Sequence, residues 1–123
     1  MRIEEIGKRL NELISLSDEV LATEKASSHG SSVSTVYFNT FRSACLSFLR
    51  NTFGELHPFY FEFNTKVKDT YAYHTREGKG ILLAVKQEIE GGWLINFKGL
   101  VSGEIFSDFL EMAEHLIEEN YKI

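Results

Sequence analysis

The stretch His57-Pro58-Phe59-Tyr60-Phe61-Glu62-Phe63 decides between a helical chain and one organised around a sheet. Phe59, Phe61 and Phe63 alternate as they would in a strand. Pro58, however, suits the first turn of a helix, where its missing N–H costs nothing. Tyr60, Phe63 and Val67 then follow at helical spacing. A strand here would need a partner, and the only other short alternating run is Trp93-Leu94-Ile95-Asn96-Phe97. Residues 58–69 are therefore expected to form a helix, with 93–97 a short extended arm lying across a bundle.

The flanking chain supports this reading. Ile3, Ile6, Leu10, Leu13, Val20 and Leu21 form one stripe over 3–26, interrupted at Ser17. Ser27-Ser28-His29-Gly30-Ser31-Ser32 is a small, polar and flexible connection. Ser34 caps a second helix over about 35–52, whose inward residues are Tyr37, Phe38, Phe41, Ala44, Cys45, Phe48 and Leu49. Gly54 stops it. The polar run 69–79 reads as a loop, and a further helix over 77–90 turns Ile81, Leu82, Val85 and Ile89 inward before Gly91-Gly92.

The clearest amphipathic element is Val101–Tyr121. Ile105, Phe106, Phe109, Met112, Ala113, Leu116 and Ile117 recur three and four apart. Ser102 caps it, and Glu104 sits where the helix dipole favours an anion. Burying each large side chain gains roughly 1.5–3 kcal/mol, so this stripe needs a partner surface. Ending on Ile123, it reads as packed, shared with another chain, or the edge of a fragment. The expected fold is thus all-α, a single domain of about five helices with one short extended arm.

Composition narrows the function classes. One domain of 123 residues can bury a sizeable core without a metal or disulfide, and the single Cys45 permits no internal disulfide. The longest strictly apolar run, Ile81–Val85, is far short of the roughly 20 residues of a membrane span. MRIEE has no apolar leader core, and a cytoplasmic setting is expected. The net charge of −5 argues against a dedicated nucleic-acid binder.

Candidate chemistry is sparse. Glu111, His115 and Glu118 are neighbours on a helix, but a di-metal bundle needs Glu-x-x-His on two helices, and Met112 stands three before His115. His29 has no Cys or His nearby to share a metal. Gly78-Lys79-Gly80 lacks the spacing of a phosphate loop and reads as a helix entry. Cys45 lies on an apolar stripe, as an inert thiol does. Trp93 reads as closing the bundle, with an exposed binding anchor as the alternative. No catalytic, cofactor or metal residue is assigned.

Two resemblances add to this. Arg50 and His57, with six residues between them, resemble the Arg-x(4–6)-His pattern of HEPN-type ribonucleases. There the Arg and His cleave RNA, although here Gly54 and Pro58 break the helix that would carry both. More broadly, Phe38-Asn39-x-Phe41-Arg42, Gly80-Ile81-Leu82-x-Ala84-Val85-Lys86-x-Glu88-Ile89-Glu90-x-Gly92 and Glu104-Ile105-Phe106-Ser107-Asp108-Phe109-Leu110-Glu111-Met112-Ala113-Glu114-His115-Leu116 resemble the helical N-terminal region of a loosely defined group of uncharacterised bacterial proteins. Several of its members sit near, or are fused to, phage-defence and toxin-like modules. In that group another apolar helix follows the Asn120-Tyr121-Lys122 position. The resemblance implies no catalytic residues. The function expected is a non-enzymatic interaction or regulatory module, forming a homo-oligomer or binding a protein partner through Ile105, Phe109, Met112 and Leu116. An RNA-cleaving or RNA-binding domain is the alternative.

Overall fold

The computed structural model describes residues 3–92. They form α1 (Ile3–Leu21), β1 (Lys25–Ser27), β2 (Gly30–Ser32), α2 (Thr35–Phe53), α3 (Pro58–Lys66) and α4 (Ala72–Glu90). The described chain is mainly helical, as expected, and adds a small antiparallel sheet. It holds four helices where about five were expected. The expected fifth, over 101–121, and the arm at 93–97 lie outside the described residues.

The deciding stretch is helical. Pro58 occupies the first turn, and the His57 ring caps it by accepting the Phe59 N–H at Nδ1, at 3.1 Å. Phe63 and Val67 are fully buried, while Phe61 is 63 % exposed. Those neighbours in the alternating set point opposite ways, as a 3.6-residue repeat requires and a strand forbids.

The four helices pack in a ring, each on the next, with α4 closing on α1. Ile6, Leu10, Leu13 and Val20 of α1 meet Phe38, Phe41, Cys45 and Leu49 of α2, and Leu82 and Val85 of α4, in one core. Ser17 continues the α1 stripe rather than breaking it: it is buried, and its hydroxyl donates to the Ile14 carbonyl. Phe41 and Phe63 meet edge to face at 5.9 Å. A Cβ on Gly78 of α4 would lie 3.1 Å from Phe63, 3.2 Å from Phe41 and 3.3 Å from Val67. Glycine is what lets α4 approach these rings.

Several boundaries differ from the sequence reading. α1 ends at Leu21 rather than 26, because the chain tightens into turns there and Thr23 Oγ1 donates to the Val20 carbonyl. The connection 27–32 is not a flexible link but part of a hairpin, with Lys25 opposite Ser32 and Ser27 opposite Gly30. Gly30 takes φ 107°, open to glycine at little cost. α4 begins at Ala72, five residues before the expected Glu77, and its first turns bury Ala72, Thr75 and Gly78. Tyr37, expected inside, is half exposed.

Candidate interaction surface

The hairpin is fastened to the bundle by backbone. Ser32 bridges to Tyr71, and the Val33 N–H donates to the Thr70 carbonyl at 2.8 Å. The Ser34 N–H donates to Thr23 Oγ1 at 2.8 Å, so one threonine hydroxyl joins the end of α1 to the start of α2. The loop between α3 and α4 is held from two sides. Arg42 of α2 donates from Nε to the Val67 carbonyl at 2.7 Å and from Nη2 to Asn64 Oδ1 at 3.0 Å. His74 Nδ1 accepts the Lys68 and Asp69 N–H groups at 3.2 and 3.1 Å.

Between these parts lies an open groove of about 640 Å³, with Gly30 and Ser32 of the hairpin, Thr35 and Asn39 of α2, and Lys68 and Tyr71 of the loop on its walls. Tyr71 is its exposed aromatic wall. Tyr71 stacks on Tyr73 at 5.9 Å, and Tyr73 meets His74 edge to face at 4.5 Å. Tyr71 and Tyr73 both face solvent, and so do Val36, 75 % exposed, and Tyr37 in the first turn of α2. Four large apolar side chains thus stand exposed at one end, on a base held by main-chain bonds. The sequence reading missed this surface. Its one signal was Tyr71 and Tyr73, two tyrosines in a run otherwise polar enough to pass for a loop.

The structure places Arg50 and His57 in different settings. Arg50 is exposed in the last turn of α2. His57 is buried, its ring 4.6 Å from Phe53 and 5.0 Å from Phe59, with Nδ1 committed to the α3 cap. Burial lowers its pKa from the ordinary 6.5. Its observed task is structural. Cys45 is fully buried; burial pushes its thiol well above the ordinary value, against a smaller lowering by the charge of Arg9. Gly78-Lys79-Gly80 is internal to α4, so it is neither a phosphate loop nor a helix entry. His29 is exposed at the hairpin tip.

Among the described residues no group of three or more His, Cys, Asp or Glu is placed to hold a metal ion, and no helix is long and apolar enough to cross a membrane. Trp93, Glu111, His115 and the expected interface Ile105, Phe109, Met112 and Leu116 lie outside the described residues. No family model, curated protein or solved structure matches the chain.

Proposed function

We propose that this protein is a non-enzymatic helical interaction module that docks on a second copy of itself. The observation that carries this reading is the group of exposed Val36, Tyr37, Tyr71 and Tyr73 at the starts of α2 and α4, beside the hairpin. Tyrosine joins a large apolar body to a polar tip, and contact surfaces are enriched in it. Most soluble oligomers are homo-oligomers related by a twofold axis, which needs only one self-complementary patch. The apolar stripe of 101–121, with Ile105, Phe109, Met112 and Leu116, is the other candidate for the contact. The resemblance to bacterial regions beside phage-defence and toxin-like modules fits a regulatory role in the cytoplasm.

Val36→Glu combined with Tyr73→Glu tests the assignment. Both positions are exposed, so helical content by circular dichroism stays as in the wild type while self-association is lost. A double variant that associates like the wild type rejects the hairpin end as the contact.

A further inference from the structure

The groove of about 640 Å³ beside the hairpin has polar walls on a fixed backbone. Thr35 and Asn39 are four apart in the first turns of α2, so they stand side by side on the helix. Ser32 comes from the hairpin, and Lys68, Asp69 and Thr70 come from the α3–α4 loop. Among the described residues, the side chains of Ser32, Thr35, Asn39, Lys68, Asp69 and Thr70 make no hydrogen bond or ion pair. Their main chain, by contrast, is tied down. The Val33 N–H holds the Thr70 carbonyl, Ser32 bridges to Tyr71, and His74 accepts the N–H groups of Lys68 and Asp69. Uncommitted side chains on a fixed backbone lower the ordering cost that a ligand must overcome.

The chemistry of the walls narrows the ligand. An apolar ligand would strip water from these groups and leave them unpaired, which costs affinity at each one. An anion would meet the Asp69 carboxylate, and a cation would meet the Lys68 ammonium, so the two formal charges favour neither. A neutral polyhydroxylated ligand suits both. Each of its hydroxyls donates and accepts: Lys68 donates to it, Asp69 accepts from it, and Asn39 and the Ser and Thr hydroxyls do either. A sugar ring also has an apolar C–H face. That face matches the half-exposed ring of Tyr71 on the groove wall, a ring already stacked on Tyr73. Ser27 and His29 extend the polar wall along the hairpin, so the open groove suits a chain of rings rather than an enclosed single one. We infer that this groove binds a neutral oligosaccharide, with Tyr71 against a pyranose ring and Asn39, Thr35, Lys68 and Asp69 on its hydroxyls.

Amide chemical-shift mapping by NMR tests it on the full chain, titrated separately with maltotriose, cellotriose, mannotriose and tri-N-acetylchitotriose. At least one of these should move the amides of residues 30–39 and 68–71, saturating by about 10 mM as fits a shallow polar site. Asn39→Ala and Tyr71→Ala should each weaken that binding by at least about fivefold. Phe61→Ala, which removes an exposed ring on α3 away from the groove walls, should leave it unchanged. If Tyr71→Ala alters the circular dichroism spectrum, Asn39→Ala, at an exposed helical position, decides alone. Four sugars that leave the groove amides unmoved overturn the inference. So do shifts that map elsewhere, and so does binding that survives Asn39→Ala at full strength. Asn39 lies outside the exposed group assigned to self-association. Native mass, measured on the same samples, therefore reads that contact separately, and either result can fail without the other.

Discussion

Gly78 and Gly7 are both helical glycines, and they should respond to the same substitution with opposite signs. Alanine at an open helical site gains roughly 0.5–1 kcal/mol over glycine. Among the described residues Gly7 has nothing within 4 Å of its would-be Cβ, so Gly7→Ala should raise stability by about that amount. At Gly78 the new methyl meets two phenylalanine rings and a valine at 3.1–3.3 Å. Overpacking of this kind costs roughly 1–3 kcal/mol, so Gly78→Ala should lose about 1 kcal/mol net. Urea denaturation of both variants checks the pair. His57 makes the fold sensitive to acid. Its folded pKa lies below the ordinary 6.5 of the unfolded chain, so the unfolded state binds the proton more readily. The contribution is complete above about pH 6.5 and is lost as pH falls from there through the folded value. His57→Asn keeps a side-chain cap, and its stability should be less pH-dependent over that window than the wild type's. An unchanged slope would remove His57 as the cause. None of this was legible beforehand. The sequence showed a histidine seven positions after an arginine, and the cap its ring makes for α3, between Phe53 and Phe59, has no signature in the sequence.

At the scale of elements, helices with a wide apolar stripe were readable and those without one were not. Phe38, Phe41, Cys45, Phe48 and Leu49 mark α2 to within a residue of its observed end. The first turns of α4 bury Ala72, Thr75 and Gly78, small residues that leave no mark in a hydrophobic pattern. The hairpin was invisible for a related reason. Its strands, Lys25–Ser27 and Gly30–Ser32, bury almost nothing, and main-chain bonds to each other and to residues 70 and 71 hold them. Such bonds carry no side-chain signature. Arg42 ties the α3–α4 loop to α2, since its fork reaches the Val67 carbonyl and Asn64 together. Arg42→Ala should cost about 1–2 kcal/mol. Arg42→Lys should recover only part of this, because an ammonium cannot span both acceptors. The measurement is urea denaturation of the two variants, and full recovery by lysine would show that charge alone matters. The surface pairs Lys79–Asp18 at 2.7 Å and Arg76–Glu24 at 2.6 Å also join α4 to the end of α1 and its turn, but exposed pairs contribute less than about 1 kcal/mol.

At the scale of the whole molecule, the helical class was legible because four stripes recur along one chain. The order in which they close was not: α4 packs back on α1, while Gly78 lets it approach Phe41 of α2 and Phe63 of α3. The candidate contact surface was legible only in part. An apolar stripe at 101–121 is plain in sequence, whereas the exposed end formed by Val36, Tyr37, Tyr71 and Tyr73 depends on bringing the starts of α2 and α4 together at the hairpin. The central claim is that this end meets a second copy of the chain. Native mass by light scattering, on gently purified protein over a hundredfold range of concentration, tests it most directly. A defined dimer at the upper concentrations, dissociating on dilution, is the expected result. A monomer across the whole range would contradict it.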